Sequence, residues 1–99
     1  MTATGFIQMI HLKTSKIKEM ENLHKEWELA IGLENKVINT TVVEDIENPG
    51  WHVVWVEFPN YKEAMINSNH PITQVFAEKL AALCEEGPDF CNLSVVFAG

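Results

Sequence analysis

Basic residues are scarce in this chain. Lysine and arginine together number 7, against 14 aspartate and glutamate residues, which gives a formal net charge of -7. An excess of negative charge repels the phosphates of nucleic acids and the headgroups of anionic lipids. We therefore expect no nucleic acid and no membrane among the partners of this protein, and a small molecule or another protein instead.

Long apolar runs are also missing. The N-terminal segment MTATGFIQMIHLK is too polar for a signal peptide, and no stretch approaches the roughly 18 apolar residues of a membrane span. These absences predict a cytoplasmic protein. The length of 99 residues predicts a single domain, 1–99. A domain of this size buries only about 60 to 65% of its unfolded surface, so further burial against a partner would matter.

Motifs for metals, phosphates and covalent catalysis are absent as well. Cys84 and Cys91 are separated by EEGPDF, a spacing that matches no zinc or redox motif, and we expect two reduced thiols. The four histidines form no H-x-x-x-H pair. There is no glycine-rich phosphate loop, nucleophile elbow or pair of catalytic carboxylates. We therefore expect no metal and no cofactor.

The hydrophobic pattern predicts the element order βαββαβ. The predicted strands are 5–13, 36–46, 51–58 and 90–97, and the predicted helices are 17–31, a short piece at 61–67, and a longer helix from Pro71 to about Cys84. Thr14 and Ser15 are expected to cap the first helix, and Gly32 to end it. The order is typical of a ferredoxin-like α+β fold, a four-stranded antiparallel sheet with two helices on one face.

The segment WHVVWVEF at 51–58 is apolar on both faces of its strand. One face carries Trp51, Val53 and Trp55, and the other carries His52, Val54, Val56 and Phe58. Because the helices cover only one face of the sheet, the other would expose a patch larger than soluble monomers tolerate. The sequence therefore predicts a homodimer that packs sheet against sheet through Trp51, Val53 and Trp55.

The stretch VVWVEFPNYKEAMINSNHPITQVFAEKL at 53–80 resembles dimeric α/β-barrel proteins of the antibiotic biosynthesis monooxygenase type. The matching positions are Phe58-Pro59-Asn60, Glu63-Ala64, Ser68, Pro71 and Phe76. The resemblance implies two sheets that close into a dimeric α/β barrel, with each subunit's pocket between its sheet and its helices. It implies little about activity, because this scaffold hosts oxygenases, haem-degrading enzymes, isomerases and cyclases.

Three polar residues are candidates for catalysis in that pocket. Gln8 lies among apolar positions of the first strand, where an amide needs a hydrogen-bond partner, and it is the counterpart of an Asn in oxygen- or haem-using members. His24 lies on the apolar stripe of the first helix and is our first candidate for a general base. His52 could join it from the sheet. The alternatives are that neighbouring groups satisfy Gln8 and His24 and that His52 is simply solvated.

Apolar residues expected in the same pocket are candidates for substrate contacts. They are Trp27, Phe58, Val54, Val56 and Phe76. Trp27 and Phe58 would stack on an aromatic ligand. His70 is expected to cap a helix or to lie at the surface, and because no other histidine falls within 61–84, haem ligation is not expected.

Two functions remain open at this point. The first is a cofactor-independent monooxygenase, or a related isomerase or cyclase, which acts on a small aromatic or polyketide-like molecule with its own acidic protons. The alternative is a non-catalytic homodimer that binds a small hydrophobic ligand or serves in a stress response. RNA-recognition modules share the element order, but the chain has too few basic residues near Trp51 and Trp55 for that role.

Overall fold

The computed structural model describes residues 5–99. Residues 1–4, part of the segment considered above as a signal peptide, lie outside the described residues. The elements in chain order are strand β1 Phe6–Lys13, helix α1 Ile17–Ile31, a 3-10 turn Gly32–Glu34, strand β2 Asn39–Glu44, strand β3 Trp51–Phe58, helix α2 Tyr61–Asn69, helix α3 Pro71–Ala82 and strand β4 Glu86–Ser94. No helix in this part of the chain is long and apolar enough to cross a bilayer.

The strands form one sheet in the order β2-β3-β1-β4, and every neighbouring pair is antiparallel. Strands β1 and β3 are therefore central, and the crossovers through α1 and through α2 with α3 place the helices on one face. This is the ferredoxin-like α+β arrangement that the sequence predicts. The second helical region differs in detail, because α2 runs two residues further than predicted and forms a full helix before α3.

Alternation along β3 separates its two faces as predicted. His52, Val54, Val56 and Phe58 are buried, whereas Trp51 and Val53 are half-buried and Trp55 is 37% exposed. The core beneath the helices contains Phe6, Ile10, Leu12, Met20, Val54, Val56, Phe58 and Ala64. The face that bears the tryptophans has no covering layer within residues 5–99.

The turn between β2 and β3 has the geometry that the pair Pro49-Gly50 favours. The backbone N–H of Trp51 donates to the carbonyl oxygen of Asn48 at 3.1 Å, and Gly50 has a φ of +93°. A positive φ at the third residue with Pro49 at the second defines a type II turn. The hairpin therefore brings His52 to the beginning of β3 directly beside the turn.

The predicted cap of α1 is wrong in detail. The residue at the cap is Lys16, and its side chain makes no capping bond. The hydroxyl of Thr14 instead accepts from the N–H of Lys16 at 2.9 Å and donates to the carbonyl oxygen of Leu83 at 2.7 Å. Thr14 therefore ties the beginning of α1 to the end of α3. Gly32, with a φ of +56°, ends α1 as predicted.

Strand β4 begins four residues before the predicted start. It pairs with β1 from Glu86 opposite Lys13 to Ser94 opposite Phe6, with a register shift between His11 and Lys13. The prediction failed because a Gly-Pro pair is typical of turns rather than strands. Directly opposed residues share a face, so Phe90, Asn92 and Ser94 lie on the helix-facing side with Ile10, Gln8 and Phe6.

Candidate functional site

A cavity of about 610 Å³ lies between the helix-facing side of the sheet and helices α1 and α3. Small-molecule sites commonly occupy about 300–1,000 Å³. The wall is mainly apolar, with Ile10, Val54 and Val56 from the sheet and Trp27, Phe76 and Leu80 from the helices. The cavity has the size and the lining of a site for a small hydrophobic or aromatic molecule.

Trp27 fixes one side of this cavity. The residue is buried on the inner stripe of α1, and its indole Nε1–H donates to the hydroxyl oxygen of Thr73 on α3 at 3.1 Å. A buried indole N–H needs such a partner, and the bond also sets the orientation of the ring. The aromatic face of Trp27 therefore forms a fixed part of the wall.

His24 lies one turn before Trp27 and also lines the cavity. The two rings are stacked, with centroids 5.9 Å apart and planes inclined by 24°. Its Nε2 is 3.6 Å from a carboxylate oxygen of Glu28, and its side chain is 40% exposed. An imidazole at the rim of an apolar cavity can take a proton from a bound molecule and pass it to water.

Gln8 and His52 do not line the cavity. The amide of Gln8 donates to Oδ1 of Asn92 at 3.4 Å near the surface of the neighbouring strand. His52 is buried, 6% exposed, rather than solvated. Its Nδ1 is 2.9 Å from the carbonyl oxygen of Gly50 and therefore carries the hydrogen, because a carbonyl only accepts. Of the three candidates for catalysis, the structure brings only His24 to the cavity.

Four of the five candidates for substrate contact line the cavity. They are Trp27, Val54, Val56 and Phe76. Phe58 is 1% exposed and packs in the core against Phe6, with ring centroids 6.3 Å apart. The apolar side of the predicted site is thus assembled, with Phe58 as a supporting core residue.

Asn67 is a cavity residue that sequence reasoning missed. It lines the cavity, is 7% exposed, and its Oδ1 has no hydrogen-bond partner within residues 5–99. The cluster of polar residues at 67–69 is typical of an interrupted helix, but α2 continues through Asn69. The signal that could have found Asn67 is its position three residues after Ala64, which places both side chains on the buried face of α2.

His70 caps α3, as predicted. Its Nδ1 accepts from the backbone N–H of Ile72 at 3.1 Å, and its Nε2 donates to a carboxylate oxygen of Glu34 at 3.0 Å. Both ring nitrogens are therefore engaged in holding the junction between α2 and α3. Within residues 5–99, no three His, Cys, Asp or Glu side chains are grouped to hold a metal ion.

Among residues 5–99, two ionisable groups have shifted pKa values, and both lie outside the cavity lining. Burial raises the pKa of the Cys84 thiol, which donates to the carbonyl oxygen of Leu80 at 3.3 Å. The pKa of Asp45, in the turn before β3, is lowered because the side chain of Asn48 and the backbone N–H of Glu47 donate to its carboxylate. The groups with shifted pKa values therefore belong to the structure around the cavity, Cys84 just after α3 and Asp45 in the hairpin turn.

Comparisons with known proteins give the fold. No protein-family model matches the chain, and no curated protein matches its sequence. Among solved structures, a conserved protein from Methanosarcina mazei Go1 is 14% identical, with a TM-score of 0.77 over 94% of both chains. SnoaB, a cofactor-independent oxygenase from Streptomyces nogalater, is 10% identical, with a TM-score of 0.78 over 97% of both chains.

A candidate antibiotic biosynthesis monooxygenase from Nitrosomonas europaea is also similar. It is 7% identical, with a TM-score of 0.73 over 98% of this chain and 95% of that protein. The resemblance predicted from residues 53–80 is confirmed at the level of fold. This chain therefore shares the fold of these proteins, among them structures described as antibiotic biosynthesis monooxygenases.

Proposed function

We propose that the protein binds a small aromatic or polyketide-like molecule in the cavity and acts on it as a cofactor-independent monooxygenase, or as a related isomerase or cyclase. The observation that carries this proposal is the apolar cavity of about 610 Å³ with the imidazole of His24 at its rim. SnoaB, a cofactor-independent oxygenase with the same fold, supports it by analogy.

The residues at the cavity suit a substrate that supplies its own electrons. His24 takes a proton from an acidic C–H group of an anthrone-like molecule, and Trp27 holds the aromatic rings by stacking. The carbanion then donates electrons to molecular oxygen. One oxygen atom becomes a new carbonyl at the CH2 carbon, and the other leaves as water with the two hydrogens.

Oxygen consumption with a panel of anthrone and hydroquinone compounds tests this proposal. We expect turnover by the unaltered protein and a fall of about 100-fold or more in His24→Ala, which is the usual contribution of a general base. Lys25→Ala is the matched control, because this exposed neighbour on α1 does not line the cavity. Unchanged turnover in His24→Ala would contradict the role of His24 as a general base.

A second function is favoured by the placement of Gln8 and His52. Because neither lines the cavity, His24 is the only one of the proposed catalytic groups beside a ligand. A non-catalytic homodimer that binds a small ligand, or serves in a stress response, needs only the apolar wall. Quenching of tryptophan fluorescence by these compounds without oxygen consumption or product formation would favour this function.

We also propose that two copies associate through the open face of the sheet. Trp51, Val53 and Trp55 lie on this face, and the helices cover only the opposite one. Full burial of a large apolar side chain contributes about 1.5–3 kcal/mol, so several such residues can support a dimer. Sedimentation at micromolar concentration should show a dimer, and a monomer under these conditions would contradict this interface.

A further inference from the structure

Asn67 is a buried amide with an unused acceptor. Its side chain is 7% exposed and lines the cavity, and no donor within residues 5–99 reaches its Oδ1. More than about 90% of buried polar atoms in proteins have a hydrogen-bond partner, because an unpaired one loses its hydration without compensation. An unpaired oxygen in the wall of a cavity is therefore suited to a donor on the molecule that fills the cavity.

The surroundings of Asn67 offer no substitute for such a donor. The sheet and helices contribute apolar side chains such as Val54, Phe76 and Leu80. Other polar residues of the lining are Lys18, Glu21, Thr40 and Thr73, and the indole N–H of Trp27 is already donated to the Thr73 hydroxyl. His24 stacks on Trp27 and faces Glu28 at the rim. Oδ1 of Asn67 is thus a buried acceptor with no partner within residues 5–99, in the wall of a mainly apolar cavity.

We propose that Asn67 is a specificity-determining residue that accepts a hydrogen bond from a hydroxyl or N–H group on the ligand. The inference rests on the proposed binding of a small aromatic molecule in the cavity. It narrows the ligand class to planar apolar molecules with a donor at the end that reaches α2, as in phenols and naphthols. The cavity volume of about 610 Å³ accommodates two or three fused rings.

The physical basis of this selectivity is a difference between two bound states. A ligand hydroxyl satisfies Oδ1 of Asn67, whereas the methyl ether of the same molecule leaves that oxygen buried and unpaired. Sites that are built to hydrogen-bond a substrate reject analogues that lack the donor. We expect a phenolic ligand to bind roughly tenfold more tightly than its methyl ether.

Equilibrium dialysis with 1-naphthol, 1-methoxynaphthalene and naphthalene tests the inference. The unaltered protein should prefer 1-naphthol to the ether by roughly tenfold, and Asn67→Leu should abolish that preference by weakening the binding of 1-naphthol alone. Asn69→Leu is the matched control, because this exposed residue of the same helix lies outside the cavity lining. It should keep the preference of the unaltered protein.

The outcomes separate this inference from the proposed function. Equal binding of 1-naphthol and its ether by the unaltered protein, or a preference that persists in Asn67→Leu, would overturn the role of Asn67 and leave ligand binding intact. Failure of all three compounds to bind would overturn both. If Asn67→Leu does not fold, Asn67→Ala and the comparison of ligands on the unaltered protein decide the question.

Discussion

The indole of Trp27 on α1 is hydrogen-bonded to the hydroxyl oxygen of Thr73 on α3, at 3.1 Å. The bond joins the C-terminal half of α1 to the first turn of α3 beside the cavity. It gives a buried donor its partner and holds an aromatic wall in place, so a single contact serves both the stability of the fold and the shape of the site.

Thr73→Val removes this acceptor while it keeps the volume of the side chain. The buried N–H of Trp27 is then unpaired, and we expect the free energy of unfolding to fall by about 1–3 kcal/mol. Urea denaturation measures the change. Thr73→Ser keeps the hydroxyl that accepts this bond, so it should lose much less stability than Thr73→Val. Equal stability of Thr73→Val and the unaltered protein would contradict this account of the bond.

Gly87→Ala should destabilise the pairing of β4 with β1. Gly87 has a φ of +82°, and an added Cβ would lie 2.7 Å from the carbonyl oxygen of His11. Strain of the backbone and the clash each destabilise by about 1 kcal/mol or more, so we expect a loss of at least 2 kcal/mol in urea denaturation. A Cβ at Gly5 would lie 3.5 Å from the side chain of Val95 and 3.8 Å from the carbonyl oxygen of Phe58, which are ordinary van der Waals contacts, so Gly5→Ala should be nearly neutral. Similar effects at both glycines would refute the prediction.

Asp45→Asn should change how stability depends on pH. Hydrogen bonds from Asn48 and Glu47 lower the pKa of Asp45 in the folded protein below 3.8. A carboxylate with a lowered pKa stabilises the fold above its unfolded pKa, and this contribution is lost as the pH falls through the folded pKa. The variant should therefore be less stable than the unaltered protein at neutral pH, and the difference should shrink in acid.

Urea denaturation over a pH series measures this effect. Glu47→Gln, in the same turn, removes a neighbouring carboxylate but keeps the backbone N–H that donates to Asp45, so it serves as the control. A difference between Asp45→Asn and the unaltered protein that stays constant from neutral to acid pH would show that the carboxylate of Asp45 is not the cause.

Val53→Lys should separate the proposed dimer into monomers. A lysine on the open face of the sheet would have to bury its charge between two subunits, which is unfavourable without a partner. Sedimentation at a micromolar concentration at which the unaltered protein is dimeric should then show a monomer. Val75→Lys places the same charge on an exposed position of α3 and should leave the dimer intact. A dimer that persists in Val53→Lys would place the contact elsewhere.

Local periodicity explains which parts of the fold could be predicted. The two faces of β3 follow from the alternation of its side chains. The C-terminal end of α1 follows from Gly32, and the hairpin turn follows from Pro49-Gly50. The start of β4 was predicted wrongly because Gly87 and Pro88 are poor strand residues. Gly87 lies close to the backbone of β1, where only a residue without a side chain fits, and no local pattern reveals this contact.

The candidate site was harder to predict than the fold. Residues on one face of an element were identified correctly, but which of them reach the cavity depends on how the helices pack over the sheet. Gln8 and His52 share the helix-facing side with Val54, yet they lie beyond the cavity. Asn67 was missed because asparagine is a poor helix former, and its burial comes from tertiary packing.

Helices α1 and α3 are joined at both ends. Thr14 ties the beginning of α1 to the end of α3 through Leu83, and Trp27 ties the later part of α1 to the beginning of α3 through Thr73. The two helices are therefore held together as one unit over the cavity. On the side of the sheet's edge, the cavity is lined by Val42 of strand β2, and because this residue is 45% exposed, the cavity is open to solvent there.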